Sequence, residues 1–237
     1  MKKLLVVLND LEGSGKSTVA RTLSHYLKEN DVPHKLIISD EGDAEAGLEG
    51  EFWDIEDEIE MSHLIRVLDR HEVVIVDVAS GAARNWGDFC ESEELENVLA
   101  EMDVEMTLII PEHLSERCHE EIIDLAEIFS DQADYVIAHL PLEARGSREE
   151  KWKGGAAAKA MNYLGALEIS VPAINADLAT ALESSEKSLP EALCDMESLP
   201  RFLEVQVSEW QEQAVLACER AGDYLIPERF DGLVSAM

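Results

Sequence analysis

A glycine, a lysine and a serine follow one another just after an apolar run near the N-terminus. Residues 4–8 are apolar, residues 10–18 read DLEGSGKST, and a helical pattern comes next. A strand that runs into a small-residue turn and then a helix leaves unpaired backbone N–H groups at the helix start, and these suit a polyphosphate. Lys16 adds a positive charge for the β- and γ-phosphates, and the Ser17 hydroxyl can ligate Mg²⁺. The sequence therefore predicts a nucleotide-binding loop.

This loop departs from the usual phosphate-binding pattern at one position. In G-x-x-x-x-G-K-[ST], Gly15, Lys16 and Ser17 fit, whereas Asp10 occupies the first glycine position. Asp10 brings a carboxylate close to bound phosphate, which is repulsive unless the side chain turns away or faces the metal. The alternative interpretation is a Gly/Ser turn that begins an ordinary helix.

Two aspartates at predicted strand ends are candidates for the metal and the water of a nucleotide site. Residues 73–78 read VVIVDV, and Asp77 ends this apolar strand, where we expect it to hold Mg²⁺ together with Ser17. Asp40 follows the strand at residues 35–39 and is expected to position an attacking or metal-bound water. The alternatives are that Asp77 caps the following turn and that Asp40 belongs to a solvated acidic loop.

Composition narrows the class of protein. The 237 residues are 46% hydrophobic, which suits one large α/β domain over residues 1–237. The formal net charge of −32, from 51 acidic and 19 basic side chains, creates a negative field that repels nucleic acid and anionic membranes. The four cysteines are widely spaced and indicate neither a zinc site nor a redox motif.

No apolar stretch has the length of a membrane-spanning helix, so we expect a cytoplasmic protein without a membrane partner.

Short apolar runs alternate with segments of helical spacing. The six runs lie at residues 4–8, 36–39, 73–78, 106–110, 135–138 and 167–171. This alternation predicts a three-layer, doubly wound, mostly parallel α/β sheet that binds ligands at the carboxyl ends of its strands. A last helix at about residues 198–223 is predicted to pack on the domain through apolar residues on or near one face, and the alternative is that this face forms a dimer contact. Its members are Leu199, Phe202, Leu203, Trp210 and Ala214.

With these elements in order, the chain resembles the ParA/MinD branch of P-loop ATPases. The segments that carry the resemblance read LEGSGKST, IISDEGD, VVIVDVASG, LIIPEHLSERCHEEIIDL and EISVPAINADLATAL. The segments DVASGAARNW and WKGGAAAKAMNYLGALEISVPAI are most similar to plasmid stability and conjugal-transfer members, the StbB/TraL kind. The resemblance implies the P-loop NTPase fold, ATP or ADP with Mg²⁺ as cofactors, a homodimer that forms on ATP binding, and a role in partitioning or positioning.

The expected cofactor contacts follow from the loop and the resemblance together. Lys16 and the loop backbone are expected to hold the phosphates. Pro172 is expected to shape the adenine pocket, and the alternative is that it only forms the turn before the next helix. The loop residues are Glu12, Gly13, Ser14, Gly15, Lys16, Ser17 and Thr18. Lys16 and Asp40 are the candidate catalytic residues, and Ser17 and Asp77 are the candidate metal ligands.

Two departures from the family pattern bear on hydrolysis. The loop of the family reads K-G-G-x-G-K-[ST], and its first lysine reaches the nucleotide of the partner subunit; here Leu11 holds that position, and Glu12 replaces the next glycine. A missing cation near the transferring phosphoryl group predicts slow or absent hydrolysis. The substitutes that could supply the charge are Arg145, Arg148, Lys151, Lys153 and Lys159. Alternatively, these residues form an exposed, internally balanced connection.

Charge also directs the expectations about partners and function. Acidic residues outnumber basic ones in the last predicted helix, so we expect no direct binding to duplex DNA and a basic protein as partner. The favoured function is an ATP-binding, ParA-like dimerisation switch with slow hydrolysis, in plasmid or chromosome partitioning or in conjugal-transfer-type positioning. The alternatives are a P-loop small-molecule kinase and a non-hydrolysing nucleotide-binding assembly module.

Overall fold

The computed structural model describes residues 1–45, 48–55, 60–141 and 152–228. Within these residues the strands are β1 (Lys2–Val7), β2 (His34–Ile38), β3 (Glu51–Phe52), β4 (Val73–Asp77), β5 (Val104–Glu112), β6 (Asp134–His139) and β7 (Leu167–Ser170). The helices are α1 (Lys16–Glu29), α2 (Glu41–Glu45), α3 (Met61–Arg70), α4 (Ala83–Ser92), α5 (Leu95–Glu101), α6 (Glu116–Phe129), α7 (Ala156–Tyr163), α8 (Ala176–Ser184), α9 (Leu189–Cys194), α10 (Arg201–Cys218) and α11 (Gly222–Leu225).

All seven strands of the described residues belong to one parallel sheet in the order β3-β2-β4-β1-β5-β6-β7. The predicted three-layer α/β fold is confirmed, and each of the six predicted strands is present. The additional strand, β3, has two residues and is too short to produce a periodic pattern. Because the strands are parallel, β1, β2, β4, β5 and β6 all end at the same edge of the sheet.

Side chains of the central strand alternate between two apolar cores. Leu4 and Val6 of β1 face a core formed with α3, α4, α5, α6 and α7. Leu5 and Val7 face the opposite core, formed with α1, α11 and the end of α10. This period of two is that of a strand covered on both faces, so β1 reads as an uninterrupted apolar run.

The C-terminal helices form a third core beside the sheet. Leu178 of α8, Leu189 of α9 and Trp210 of α10 belong to it, and α10 also contacts α1 and β7. The predicted last helix is divided in the structure, because α10 ends at Cys218 and a short 3-10 turn separates it from α11. The sequence placed Phe202 on or near the packed face of this helix, whereas its side chain is 60% exposed in the structure.

None of the helices among the described residues combines the length and the apolar character needed to cross a membrane.

Candidate nucleotide-binding site

The loop between β1 and α1 turns through two glycines. Gly13 and Gly15 have φ angles of +67° and +78°, a region that glycine occupies without strain. Gly15 is the N-cap of α1 and has no side chain to cap the first amides of that helix. A Cβ at Gly15 would lie 3.1 Å from Leu140, which directly follows β6. The chain thus has the strand–loop–helix arrangement of a P-loop, packed closely against a neighbouring strand end.

Lys16 begins α1 and folds its side chain back into the loop. Its Nζ donates to Ser80 Oγ at 2.8 Å and to the Leu11 carbonyl at 3.1 Å, and it lies 3.4 Å from Ser14 Oγ. Burial lowers the pKa of Lys16. The carboxylates that oppose this lowering are those of Asp77, Glu121, Asp10 and Asp40. All three contacts are to neutral oxygens, so a phosphate would offer the ammonium a stronger partner.

Asp77 lies at the end of β4 with 4% of its surface exposed. Burial raises the pKa of this carboxyl group to about 7, against the lowering effects of Arg21 and of the Ser17 hydroxyl. Its Oδ2 atom is buried without a hydrogen-bond partner among the described residues. Arg21 Nη1 approaches this oxygen to 3.5 Å, outside ordinary hydrogen-bond distance. A carboxylate oxygen beside a hydroxyl is a hard-oxygen donor set of the kind that Mg²⁺ prefers, so the residues present fit this cation.

A metal in this place would depend on more than protein ligands. Among the described residues, no group of three or more His, Cys, Asp and Glu side chains is arranged to hold a metal ion. Mg²⁺ commonly takes one or two protein oxygens and completes its shell with waters and substrate phosphates. Ser17 and Asp77 therefore suit an ion that arrives with a nucleotide.

Asp40 is exposed between β2 and α2, at the sheet edge where Asp77 also lies. Its Oδ1 atom accepts a hydrogen bond of 3.2 Å from the Asp43 amide, so the carboxylate helps to form the first turn of α2. It acts on Lys16 through its charge. Its role in positioning water stays a prediction.

Asp10 turns away from the loop interior. Its Oδ1 accepts a hydrogen bond of 2.9 Å from the Ala83 amide at the start of α4, and its own amide donates to the Glu121 carboxylate of α6. Burial raises the pKa of Glu121, and the bond from the Asp10 amide opposes this. The carboxylate at the first glycine position thus serves the start of a neighbouring helix, and its charge also acts on Lys16.

The remaining candidate residues are placed as follows. Glu12 is exposed, Ser14 is buried and Thr18 is half-buried in the loop and first turn of α1. Pro172 follows β7, and its carbonyl accepts a hydrogen bond of 3.0 Å from Trp210 Nε1. This hydrogen bond joins the Pro172 carbonyl to α10. That Pro172 helps to form an adenine pocket stays a prediction.

Only two of the five candidate substitute cations fall within the described residues. Lys153 and Lys159 are exposed there. Arg145, Arg148 and Lys151 lie outside the described residues.

His139, at the end of β6, is engaged by two carboxylates. Its Nδ1 lies 2.8 Å from Glu112 and its Nε2 lies 3.0 Å from Glu168, which also accepts a hydrogen bond from Trp152. Both ring nitrogens therefore have partners within the protein, as expected for a structural histidine.

A separate groove of about 840 Å³ lies between α4, α5 and α6. Leu125 and Phe129 are among its apolar lining residues, and Arg84 is the single basic residue among its described lining residues. The carboxylates that line it are Asp10, Asp88, Glu91, Glu94, Glu96, Glu121, Asp124 and Glu127. Asp10 and Glu121 thus belong both to this groove and to the surroundings of the phosphate-binding loop.

Sequence reasoning missed two residues that contact the predicted site. Ser80 holds Lys16, and Arg21 lies 3.5 Å from Asp77. Arg21 stands one helical turn after Ser17, so the i, i+4 spacing placed it on the same face of α1. Ser80 is three residues beyond Asp77, and no spacing rule indicated its contact with Lys16.

Among known proteins, the chain shows similarity to solved structures but to no family model and no curated sequence. The structure of FlhF complexed with GTP and Mg²⁺ has a TM-score of 0.41 and 16% identity, over 74% of this chain and 67% of that one.

The MinD cell division protein of Aquifex aeolicus has a TM-score of 0.45 and 14% identity, over 89% of this chain and 96% of that one. The signal recognition particle 54 kDa protein of Aeropyrum pernix K1, in complex with GDP, has a TM-score of 0.44 and 18% identity, over 94% of this chain and 51% of that one. Similarity at this level assigns neither a family nor a function, so the ParA/MinD resemblance stays a prediction.

Proposed function

We propose that this chain is a P-loop nucleotide-binding protein of the ParA/MinD kind, which binds ATP or ADP with Mg²⁺ and dimerises in the ATP-bound state. One observation carries the proposal. At the glycine-turned start of α1, the buried carboxyl group of Asp77 meets the Ser17 hydroxyl, and its charge acts on Lys16. A cation, the amides of a helix start and a carboxylate beside a hydroxyl are together the elements that a metal–nucleotide complex requires.

Each residue has a defined part in this proposal. Lys16 leaves Ser80 and binds the β- and γ-phosphates, while amides from residues 13–18 surround them. Ser17 and Asp77 hold the cation, which neutralises the phosphate charge when bound. Asp40 orients a water at the same sheet edge.

We propose that hydrolysis is slow, because no cation stands where the family has its first loop lysine. Leu11 holds that position, packs against the apolar core, and offers its carbonyl to Lys16. The transition state of phosphoryl transfer is stabilised by positive charge, so its absence lowers the rate. The non-hydrolysing assembly module remains the second candidate, and Leu11 is the observation that favours it.

We also propose that the physiological partner is a basic protein, in partitioning or conjugal-transfer-type positioning. The net charge of −32 supports this, and the acidic groove between α4, α5 and α6 is a concave face that suits a basic segment. The same charge argues against direct contact with duplex DNA.

The experiment that tests the proposal measures mass in solution by light scattering while phosphate release is followed. Wild type, Lys16→Ala and Lys28→Ala are compared with Mg-ADP, Mg-ATP and Mg-GTP. Lys28→Ala is the matched control, because Lys28 lies on α1 and pairs with Glu49 in an exposed ion pair.

We expect ATP-specific dimerisation in wild type and Lys28→Ala and its loss in Lys16→Ala. The rate of phosphate release then separates a slow ATPase from a non-hydrolysing module. If the mass of wild type does not respond to any nucleotide, the dimerisation switch is wrong. If nucleotide also fails to bind wild type in equilibrium dialysis, the P-loop assignment is wrong as well.

A further inference from the structure

One buried cation near the candidate site has no part in the function proposed above. Arg21 lies one turn after Ser17 on α1, is 5% exposed, and donates from Nη1 to the Ser17 carbonyl at 3.0 Å. A guanidinium stays charged in proteins, so its burial requires anionic partners. The guanidinium reaches back one turn along α1 and lies beside Ser17 and Asp77, the two candidate metal ligands.

The guanidinium joins two carboxylates from different elements. Nη1 lies 3.5 Å from Asp77 Oδ2 on β4, and Nη2 lies 3.4 Å from Asp43 Oδ2 on α2. Its Nε donates to Cys194 Sγ at the end of α9, at 3.3 Å. A single side chain on α1 therefore contacts the candidate metal ligand, the segment after β2 and the C-terminal helices.

Arg21 offsets a repulsion that the fold creates. The charge of Asp43 acts against ionisation of Asp77, whereas Arg21 favours it. Two carboxylates on one guanidinium are stable together because the cation lies between them, and removing it leaves like charges facing each other.

The attachment of α2 depends on few contacts. The helix has five residues and none of them is buried, although Ala44 packs partly against the core. Segments with few buried contacts open at low free-energy cost. Among the described residues, the ion pair from Asp43 to Arg21 is therefore one of the contacts that hold α2, and with it Asp40, at the edge of the site.

We propose that Arg21 is a positioning residue that couples metal binding at Ser17 and Asp77 to the placement of α2. This inference rests on the proposed Mg²⁺–nucleotide site. A divalent cation on Asp77 takes up the negative charge that Arg21 had shared, so the guanidinium binds Asp43 more strongly and fixes α2. Coupling is reciprocal, so a firmly held Asp43 also offsets the charge of Arg21 and favours the metal.

The test measures two quantities on four proteins: wild type, Arg21→Met, Asp43→Asn and the double variant. The first is Mg²⁺ affinity of the ADP-bound protein, and the second is amide hydrogen exchange of residues 41–45 with and without Mg-ADP. Glu41→Gln is the matched control, since it removes a charge from the same helix and is exposed.

We expect Mg-ADP to slow exchange of α2 about fivefold or more in wild type and Glu41→Gln, and not in Arg21→Met or Asp43→Asn. Asp43→Asn weakens Mg²⁺ binding about fivefold in the wild-type background and much less when Arg21 is already Met. Should Arg21→Met not fold, Arg21→Lys replaces it, because lysine keeps the charge but lacks the fork that joins two carboxylates.

Additive effects of Arg21→Met and Asp43→Asn would overturn the coupling, since independent sites add. Equal weakening by Glu41→Gln and Asp43→Asn would overturn it too, because general charge would then explain both. A wild type that binds no Mg-ADP contradicts the proposed function and the coupling together. Additive variants of a wild type that binds Mg-ADP contradict the coupling alone.

Discussion

Asp77 is a fully buried carboxyl group, and its environment predicts how stability depends on pH. Burial raises its pKa from 3.8 to about 7, so the folded protein holds a proton that the unfolded chain has lost between these values. Stability contributed by this group is complete below pH 4 and is lost as pH rises towards 7. We expect metal-free wild type to lose stability relative to Asp77→Asn over this range, by at most about 4 kcal/mol.

Thermal unfolding of the two proteins in chelator, from pH 4 to pH 8, measures this gap. Asp69→Asn is the control, because Asp69 is an exposed aspartate at the end of α3. A gap between wild type and Asp77→Asn that changes with pH no more than the gap for Asp69→Asn would contradict the raised pKa.

The two loop glycines differ in what surrounds them, and alanine variants should separate the two effects. Both have positive φ, which costs a non-glycine residue about 1–2 kcal/mol. Only at Gly15 would the new Cβ also meet Leu140, at 3.1 Å, whereas Gly13 has nothing within 4 Å. We therefore expect Gly15→Ala to lower the free energy of unfolding in urea more than Gly13→Ala does.

Leu140→Ala provides the check on that interpretation. Combined with Gly15→Ala, it removes the close contact, so the double variant should be more stable than the sum of the single losses predicts. Strict additivity would mean that the backbone conformation alone, and not Leu140, makes glycine necessary at this position.

At the scale of elements, the sequence predicted the strands and helices that a local residue pattern defines. Strands of a parallel sheet covered on both faces are continuous apolar runs, so the six longer strands were recognisable, and β3, with two residues, was not. The loop and Asp77 were predictable for the same reason, because each stands at the end of such a run. The exposed Phe202 shows what residue spacing cannot predict. Spacing identifies the residues that share a helix face, but not which of them another element covers.

Contacts between elements distant in sequence could not be predicted. Ser80 meets Lys16, Arg21 meets Asp43, and Asp10 meets the start of α4 only because the sheet brings these segments together. No periodicity encodes such pairs. The sequence therefore predicted the candidate site, and the structure showed the side-chain contacts that join its parts.

The contact of Asp10 with the start of α4 leads to a testable prediction about stability. Its carboxylate accepts the Ala83 amide in the first turn of α4, where a negative charge also suits the helix dipole. Asp10→Gly restores the usual glycine of the loop pattern, yet we expect it to cost about 0.5–2 kcal/mol of stability, as loss of a capping group does. Urea unfolding measures the loss, and amide exchange at Ala83 locates it.

Two variants serve as references for Asp10→Gly. Asp10→Asn keeps an acceptor oxygen and should lose less stability. Ser115→Ala removes the side-chain cap of α6, which accepts from Cys118 at 3.2 Å, and should lose a comparable amount. An Asp10→Gly protein as stable as wild type would show that the bond to α4 contributes nothing.

At the scale of the whole molecule, the net charge of −32 governs which partners can approach. Phosphate contacts dominate non-specific DNA affinity, and a surface with this excess of carboxylates repels the duplex. We expect no binding to duplex DNA at about 0.15 M salt, with or without Mg-ATP. Fluorescence anisotropy with a labelled duplex measures this, and tight, salt-sensitive binding would contradict it.

The groove between α4, α5 and α6 predicts where a basic partner is held. A lysine-rich amphipathic peptide is a suitable probe, because the groove combines apolar lining residues with carboxylates at its rim. The double variant Asp124→Lys/Glu127→Lys reverses two exposed rim charges, and we expect it to weaken peptide binding about tenfold. Isothermal titration calorimetry at fixed salt measures the affinity.

The matched control reverses two exposed glutamates of α10, Glu209→Lys/Glu212→Lys, which changes the net charge equally but lies outside the groove. Because a rim charge acts mainly over a Debye length of about 8 Å, the control should bind the peptide within about twofold of wild type. Equal weakening by both double variants would mean that the field of the whole molecule attracts the peptide. Binding would then follow net charge alone, and the groove would have no special part in it.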